Sequence, residues 1–557
     1  MQILISLLKE FNINKVIASP GATIVTFIGS IQHDPYFKIY SCIDERSAAY
    51  MACGLSAETG EPVVLACTGA TASRNYMPGL TEAFYRKLPI IAVTGSMESN
   101  RFGQLWAQYT YRANPPLDVV KHSFNAKIIK DEEDEWQCTR VLNEALLELF
   151  HDGRGPIHIN LETRGSQDFS IKEILKCRVI KRFEKDDEFP KLNGKIAIFI
   201  GSHLPFNLDT QKSIEEFCEK YNAVVFCDQT SNYNGKYKIQ SALLASQENL
   251  DPVIFNVDIL IHIGEISGDY YTLGTLKPNY TWRVNEDGTI RDRFRCLSCV
   301  FEMSEYDFFN YYNSQKNDLS NVDFYKELEI SNCEIRKDIE NLPFSNIWIA
   351  SQISKRIPSS STVFLSILNT LRAWNFFEIN GDITVYANVG GFGIDGMTST
   401  LVGASLVNPK KLYFGFTGDL NFFYDINVLG NRHISNNLRL MLINNGHGQE
   451  FRNYKHNASI LGEEVELYIA AKGHNGKESK TLVKDYAEDL GYIYLSASNK
   501  DEFNANIQRF LTQEHLTKPI IFEVFTESDE ESSALKDIRN IVKPMNKILG
   551  RFVSVQK

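Results

Sequence analysis

Two short apolar runs in the second half of the chain most constrain its fold, because polar residues follow each of them. Residues 411–417 are followed by a glycine and Asp419, and residues 438–443 by two asparagines, the second of them Asn445. Short apolar runs bounded by polar residues are typical of buried strands in a parallel sheet. Ligands of such sheets bind beyond the carboxyl ends of the strands. The pattern therefore predicts an α/β fold with Asp419 and Asn445 at one edge of a sheet.

Each polar group also has a simpler explanation when it is taken alone. A Gly-Asp pair after a strand is a common turn in which the aspartate caps the next helix, and Asn-Asn-Gly is a common tight turn. The two groups together, one carboxylate and one amide at two strand ends, favour a magnesium site. Mg²⁺ prefers octahedral oxygen ligands and is usually bound by one or two protein carboxylates together with phosphate oxygens.

The same stretch resembles the cofactor motif of the thiamine diphosphate (ThDP) enzymes, which starts with a GDG-like sequence and ends with two asparagines. Leu420 stands where that motif has its last glycine, a departure that one branch shares. That branch is the menaquinone-pathway synthase of 2-succinyl-5-enolpyruvyl-6-hydroxy-3-cyclohexene-1-carboxylate (SEPHCHC). Further parts of its pattern are similar to residues 393–396 (GIDG) and 448–449 (GQ) of this chain.

A second block near the N-terminus fits the same resemblance. Pro20 and Gly21 follow a predicted strand, Glu45 opens a predicted helix, and Thr68 and Asn75 follow the next apolar run. In ThDP enzymes a glutamate at the position of Glu45 hydrogen-bonds the pyrimidine ring, which prepares the adjacent amine to take a proton from the cofactor. Without the resemblance, Glu45 also fits a first-turn carboxylate that complements the helix dipole.

The resemblance implies a complete set of site residues. Those implied in cofactor binding are Pro20, Gly21, Glu45, Thr68, Asn75, Gly393, Ile394, Gly418, Asp419, Leu420, Asn421, Asn445 and Gln449. Those implied in Mg²⁺ binding are the side chains of Asp419 and Asn445 and the carbonyl of His447. Glu45 and Gln108 are implied in catalysis, and Gln108 and Arg372 in substrate binding. By their residue types alone, Gln108 also fits a polar loop and Ile394 an ordinary core position.

The chain departs from the SEPHCHC synthases in its arginines. The substrates of those enzymes, isochorismate and 2-oxoglutarate, are multiply anionic, and guanidinium groups bind carboxylates in bidentate fashion. Arg372 is retained, whereas Thr23, Met97 and Val389 stand in place of three other arginines. Their loss costs several kcal/mol of recognition, at about 1.5 to 3 kcal/mol per charged hydrogen bond. The arginines that could rebuild an anion site, each of which also fits a surface cation, are Arg74, Arg101, Arg112 and Arg452.

Apolar runs interleaved with helical patterns divide the chain into three parts. We predict a pyrimidine-binding ThDP domain over residues 1–175, a central α/β domain over 190–320, and a diphosphate- and magnesium-binding ThDP domain over 340–557. Each part is expected to form a doubly wound parallel sheet. The charged stretch 181–193 is the predicted linker between the first two.

Composition excludes several other classes of protein. The net charge of −11 argues against nucleic acid as a main partner, and no apolar run reaches the roughly 18 residues that a membrane span requires. The first 15 residues fit an amphipathic helix rather than a signal peptide. A single CxxC pair, Cys296 and Cys299, lacks the partners of a zinc site, so we expect reduced thiols and a cytoplasmic protein.

The sequence therefore predicts an enzyme that uses ThDP and Mg²⁺ to decarboxylate a 2-oxoacid and to transfer the acyl anion equivalent to an acceptor. The resemblance implies a homodimer or homotetramer with active sites at the subunit interface. Two alternatives of the same class remain open, namely a simple 2-oxoacid decarboxylase that releases an aldehyde and an acetolactate-synthase-like carboligase. A scaffold or regulatory subunit is a further alternative. The identities of donor and acceptor stay open.

Overall fold

The computed structural model describes residues 1–112, 114–165, 169–170, 173–316, 324–339, 341–473, 479–514 and 516–544. The chain divides into two compact units. The first comprises Met1–Asp187 and Gly288–Glu302, and the second comprises Glu188–Asp287 and Met303–Lys557. The boundary between Asp187 and Glu188 lies within the predicted linker.

The first unit is built around a six-stranded parallel sheet with the order β2-β1-β3-β4-β6-β5. The strands of this part of the chain are β1 (Lys15–Ala18), β2 (Lys38–Ser41), β3 (Val63–Thr68), β4 (Ile90–Ser96), β5 (Ser123–Ala126), β6 (Ile157–Glu162) and the separate β7 (Lys181–Phe183). The helices are α1 (Gln2–Glu10), α2 (Val25–Ile31), α3 (Glu45–Thr59), α4 (Thr71–Asn75), α5 (Met77–Tyr85) and α6 (Glu132–Glu148).

Apolar side chains explain why this sheet has helices on both faces. Every residue of β3, β4 and β6 is buried, as expected of strands covered on both sides. One core cluster contains Leu4 and Leu8 of α1 together with Leu142 of α6. A separate cluster contains Ala52 of α3 and Leu80 of α5. The two clusters make the first unit a doubly wound sheet.

The N-terminal part of the second unit contains five parallel strands, which pair in the order β10-β9-β8-β11-β12. Its strands are β8 (Ile196–Ile200), β9 (Val224–Cys227), β10 (Lys238–Gln240), β11 (Asn256–Ile263) and β12 (Lys277–Asn285). The next strand, β13 (Leu297–Glu302), belongs to the first unit and pairs in parallel with β7. The helices here are α7 (Leu208–Tyr221), α8 (Ala242–Ala245), α9 (Tyr270–Thr275), α10 (Glu305–Ser314) and α11 (Phe324–Lys337).

The second unit continues with a six-stranded parallel sheet of order β15-β14-β16-β17-β19-β18. Its strands are β14 (Thr362–Leu365), β15 (Thr384–Ala387), β16 (Tyr413–Gly418), β17 (Leu438–Asn444), β18 (Ile493–Ala497) and β19 (Ile520–Phe525). Its helices are α12 (Asn346–Ile353), α13 (Asn369–Asn375), α14 (Met397–Ser405), α15 (Asp419–Tyr424), α16 (Val465–Tyr468), α17 (Leu482–Asp489), α18 (Lys500–Leu511) and α19 (Ser528–Arg539). The central strands β16 and β17 are almost wholly buried.

The predicted α/β class with doubly wound parallel sheets is confirmed, since all strand pairs given above are parallel and helices connect the strands. The three domain ranges proposed from the sequence stay predictions. The N-terminal segment forms the expected amphipathic helix, α1, which buries Leu4, Ile5, Leu7 and Leu8. Within the described ranges, no helix is both long and apolar enough to cross a membrane.

Candidate functional site

The carboxyl ends of β16 and β17 bring Asp419 and Asn445 together. The two strands pair in parallel with Gly418 opposite Ile443, so both chains leave the sheet at the same edge. The backbone N–H of Asn445 donates to Asp419 Oδ2 at 3.1 Å, and the N–H of Leu420 donates to Asp419 Oδ1 at 2.7 Å. The carboxylate is therefore fixed in place by backbone donors, next to the second predicted ligand.

Two amide side chains at this edge have buried atoms without hydrogen-bond partners. The Oδ1 atom of Asn445 has none, and neither Oδ1 nor Nδ2 of Asn421 has one. Buried polar atoms are normally satisfied, because each unsatisfied one costs about 1–3 kcal/mol. The orphaned oxygens lie where α15 and the loop after β17 start, and they are suited to bind a ligand.

The loop after β17 holds the other predicted residues of this half-site. The carbonyl of His447 accepts from the Gln449 backbone N–H at 2.8 Å, while its imidazole Nδ1 lies 3.1 Å from a carboxylate oxygen of Glu466. Gln449 Nε2 donates to the Ser528 carbonyl at 3.1 Å, and its Oε1 is another buried atom without a partner. The loop thus presents further oxygen atoms at the same edge.

The first turn of α14 is held by Asp425. Its carboxylate accepts from the backbone N–H of Ser399 at 2.6 Å and from the Ser399 hydroxyl at 2.5 Å. This contact fixes the start of α14, which directly follows the GIDG stretch. Ile394 in that stretch is half-buried and Gly393 is exposed, so neither is an ordinary core residue within this chain.

The first unit contains the other predicted half-site. Glu45 is the first residue of α3, whose N-cap Asp44 accepts from the Ser47 N–H at 2.8 Å. Asn75, at the end of α4, donates from Nδ2 to Glu45 Oε2 at 3.3 Å. Two residues predicted from separate motifs are therefore in contact. The first-turn position of Glu45 also suits the helix dipole, as its residue type indicated.

Gly21 and Thr68 approach each other more closely than a side chain on residue 21 would permit. A Cβ placed on Gly21 would lie 1.9 Å from Thr68 Oγ1, an atom that is buried without a hydrogen-bond partner. Pro20 beside them is exposed. The close approach explains why a glycine is needed after the first strand.

We expect Gly21→Ala to lower the stability of the first unit by about 1–3 kcal/mol, the usual cost of overpacking. Gly54→Ala is the matched control, because Gly54 lies inside α3 with nothing within 4 Å of an added Cβ. That control should stabilise the helix by roughly 0.5–1 kcal/mol. Thermal unfolding followed by circular dichroism would report both. Equal midpoints for the two variants would contradict the packing argument.

Gln108 lies in an exposed segment and has an unusual backbone. Its φ is +69°, in the left-handed region that non-glycine residues seldom adopt. Nearby, the Arg101 guanidinium stacks on the Trp106 ring, with 4.3 Å between Cζ and the ring centroid. Among the described residues, no hydrogen bond joins Gln108 to another predicted site residue, so its catalytic role stays a prediction.

The retained arginine, Arg372, is engaged by a carboxylate. Its Nη1 and Nη2 atoms donate to the two carboxylate oxygens of Glu450 at 2.8 and 2.7 Å. Burial alone would lower the pKa of Arg372, but the Glu450 charge raises it above its usual value. A substrate carboxylate would have to compete with Glu450 for this guanidinium.

Comparisons with known proteins agree with the motifs. The model of the N-terminal thiamine pyrophosphate (TPP) binding domain of thiamine pyrophosphate enzymes matches residues 1–114. The 2-succinyl-5-enolpyruvyl-6-hydroxy-3-cyclohexene-1-carboxylate synthase of Phocaeicola vulgatus is 28% identical over 564 residues, 98% of each chain. The synthases of the same name from Bacteroides fragilis and Flavobacterium johnsoniae are each 28% identical, covering 97% and 96% of this chain and 98% and 97% of their own.

The resemblance to the thiamine diphosphate enzymes is confirmed. The matched family model and the near-full-length coverage of the relatives support the predicted class, a ThDP-dependent transferase or lyase. The family model ends at residue 114, so it does not extend to the half-site around Asp419.

The half-site at β16 and β17 fits a magnesium ion bound to a diphosphate. It offers one carboxylate, one orphaned amide oxygen and a backbone carbonyl, the mixed oxygen set that Mg²⁺ accepts when phosphate oxygens complete the shell. Among the described residues, no group of three or more His, Cys, Asp or Glu side chains is arranged to hold a metal. An ion held here would therefore depend on the cofactor for part of its coordination.

Two buried glutamates near this half-site were missed by the sequence analysis. Glu523 in β19 accepts from Asn444 Nδ2 and from the Tyr494 hydroxyl, both at 2.7 Å. Glu531 in α19 accepts from the Asn346 N–H at 2.9 Å and from the Thr526 hydroxyl at 2.7 Å. Burial, assisted by the Asp419 charge, raises the pKa of both, to about 7 for Glu531. The charged residue inside the apolar run 519–524 was the available signal for Glu523.

The raised pKa of Glu531 predicts a pH dependence of stability. Because the folded state binds the proton more tightly than the unfolded state, the contribution is complete below about pH 4.5 and is lost as pH rises through about 7. Its size is on the order of 3 kcal/mol. Glu531→Gln should flatten the decline of the thermal midpoint between these pH values, whereas Glu530→Gln, at an exposed neighbour, should not. Parallel curves for wild type and Glu531→Gln would refute the assignment.

Proposed function

We propose that this chain binds ThDP with Mg²⁺ and catalyses decarboxylation of a 2-oxoacid, followed by transfer of the acyl anion equivalent to an acceptor. The observation that carries the proposal is the contact between Asp419 and Asn445 at the ends of β16 and β17, with the Asn445 Oδ1 atom left unsatisfied. The thiazolium ring of ThDP, when bound, acts as the electron sink for loss of CO₂.

In this proposal, Asp419 and Asn445 hold the metal through side-chain oxygens and His447 through its carbonyl. Asp419 is suited to the task because backbone N–H groups already orient its carboxylate, so little reorganisation accompanies binding. Gly418, Leu420, Asn421 and Gln449 surround the same edge. The orphaned Nδ2 of Asn421 is a donor that would hydrogen-bond the diphosphate, and Gln449 is proposed to lie beside it.

Glu45 is assigned to proton transfer. Its carboxylate accepts a hydrogen bond from Asn75 at 3.3 Å and is only half-buried, which leaves it open to a ring nitrogen of the cofactor. Stabilising a proton on that nitrogen makes the adjacent amine a base. Pro20, Gly21 and Thr68 are proposed to contact the same ring, and Ile394 would support the cofactor.

The two half-sites lie in different compact units, and we propose that each active site is formed by two chains. Exposed apolar side chains on the helices next to Glu45 are the feature that favours an assembly, since exposed apolar surface marks protein–protein contacts when it is contiguous. They are Tyr50 and Met51 in α3 and Tyr85 in α5, each 45–68% exposed. A homodimer or homotetramer is proposed on this ground.

The proposed class of substrate is based on the arginines that this chain lacks. Thr23 donates its hydroxyl to the Gly95 carbonyl at 2.6 Å, Val389 is buried, and Arg372 is paired with Glu450. Thr23 and Val389 carry no charge, and the charge of Arg372 is already paired. They favour a donor or acceptor with fewer carboxylates than isochorismate and 2-oxoglutarate have, so an acetolactate-synthase-like carboligase and a simple decarboxylase are the second candidates.

Incubation of the purified full chain with ThDP, Mg²⁺ and a panel of 2-oxoacids tests the proposal. Release of CO₂ that requires both ThDP and Mg²⁺ is the expected result. Adding candidate acceptors distinguishes the candidates, since a carboligase forms a new carbon–carbon bond whereas a simple decarboxylase releases aldehyde. If ThDP does not bind in the presence of Mg²⁺, the proposed function is wrong and a scaffold or regulatory role remains.

A further inference from the structure

One cavity in the first unit has the chemical character of an anion site. It has a volume of about 540 Å³ and lies against α5, β4 and the residues 111, 112 and 114–120. Its walls include the apolar side chains of Met77, Leu80 and Val119, together with the guanidinium groups of Arg74 and Arg112. Among the described residues that line it, none is Asp or Glu.

Arg112 is buried, with only 9% of its surface exposed, so the interpretation as a surface cation is wrong for this residue. Its Nε donates to Asn160 Oδ1 at 3.0 Å and to Thr94 Oγ1 at 3.3 Å, and its Nη1 donates to the Thr110 carbonyl at 3.3 Å. Its Nη2 is buried and donates to nothing in the described structure. One edge of the guanidinium is therefore anchored and the other lacks an acceptor.

The surroundings do not neutralise this charge directly. Within the described ranges, Arg112 forms no ion pair, and Glu162 is reached only through two amides, from Asn160 to Asn125 and from Asn125 to the Glu162 carboxylate. The imidazole of His158 lies between Thr94 and Ser123, and burial lowers its pKa to about 3, so it is neutral at physiological pH. A buried cation without a paired anion is costly, because it has lost its water and gained no counter-charge.

The backbone makes room for the guanidinium at this position. A Cβ placed on Gly69 would lie 2.6 Å from Arg112 Cζ, so a larger residue would displace the side chain. Arg74 lies at the exposed side of the cavity and donates from Nη2 to the Tyr111 carbonyl at 3.1 Å. The cavity thus has one buried, fixed cation and one exposed cation, joined by apolar walls.

We propose that this cavity binds an organic carboxylate whose carboxylate group accepts from Arg112 Nη2 and whose apolar body packs against Met77, Leu80 and Val119. A guanidinium matches a carboxylate in planar geometry, and the low polarity of the walls strengthens the interaction. Arg74 provides the second cation near the entrance. The proposal does not rest on the proposed function, because it concerns binding to the first unit without cofactor.

Calorimetric titration of the full chain with benzoate, in the absence of ThDP and Mg²⁺, tests the proposal. Benzoate should bind and raise the thermal midpoint, whereas benzamide, its neutral analogue of similar shape, should not bind measurably. Arg112→Gln should weaken benzoate binding by at least about tenfold, since a charged hydrogen bond is lost. Arg112→Lys should weaken it less, because the charge remains without the planar fork. Arg86→Gln, at an exposed arginine just after α5, is the matched control and should bind as wild type does.

A cavity-filling variant, Val119→Phe, covers the case in which Arg112→Gln fails to fold. It keeps Arg112 and should block benzoate by occupying its space. Benzoate binding that is unchanged in a folded Val119→Phe protein would overturn the proposal, as would equal binding of benzamide. Inorganic phosphate that binds as tightly as benzoate would also overturn it, since the apolar walls would then play no part.

Discussion

Asn445→Ala is expected to weaken magnesium-dependent ThDP binding by at least about 100-fold without lowering the stability of the chain. Loss of an outer partner of a metal site commonly costs about 10–100-fold, and a direct ligand contributes more. The substitution removes an oxygen that has no protein partner, so folding loses no hydrogen bond of that atom. A variant that is folded yet unable to bind would separate a ligand role from a structural role.

Asp419→Asn provides the companion measurement. Its side chain keeps one oxygen for the backbone donors, replaces the other acceptor by an NH₂ group, and loses the charge that attracts the metal. Calorimetry with ThDP in the presence and absence of Mg²⁺ should show loss of the magnesium-dependent part in both variants. Asp489→Asn, at an exposed residue ending α17, is the control. If Asn445→Ala binds ThDP and Mg²⁺ as wild type does, the magnesium site is misassigned.

The strands most readily predicted from the sequence are continuous apolar runs. β3, β4 and β17 are continuous apolar runs because helices cover both sides of each sheet. β5 and β10 were missed, since they are short edge strands with polar or half-buried residues. β14 is wholly buried but has four residues, too few for periodicity to distinguish a strand from other core segments.

The site residues also differ in whether the local sequence or only the tertiary fold reveals their contacts. Asp419 and Asn445 could be paired from the sequence because strand ends of a parallel sheet meet at one edge. The pairing of Arg372 with Glu450, 78 positions away, depends on tertiary packing and has no local signal. The burial of Arg112 likewise follows from its contact with Asn160, 48 positions away. Whether a guanidinium group such as these is paired or unpaired can be determined only from the tertiary structure.

Glu45→Gln is expected to reduce ThDP-dependent CO₂ release by about 10²–10⁴-fold, the usual contribution of a positioned acid or base. Glutamine retains the size of the side chain and can still accept from Asn75, so α3 and its contact with α4 should persist. What it lacks is the negative charge that stabilises a proton on the cofactor ring. The turnover rate should therefore fall, whereas ThDP affinity should change far less than in Asn445→Ala.

The control for this prediction lies on the same helix. Glu58 is an exposed glutamate near the end of α3, so Glu58→Gln makes the same chemical change far from the first turn. The decisive comparison measures CO₂ release and ThDP affinity for wild type, Glu45→Gln and Glu58→Gln under the same conditions. A Glu45→Gln enzyme with wild-type turnover would leave Glu45 with only its first-turn role at the helix dipole. Loss of ThDP affinity matching the loss of turnover would assign the residue to binding rather than to proton transfer.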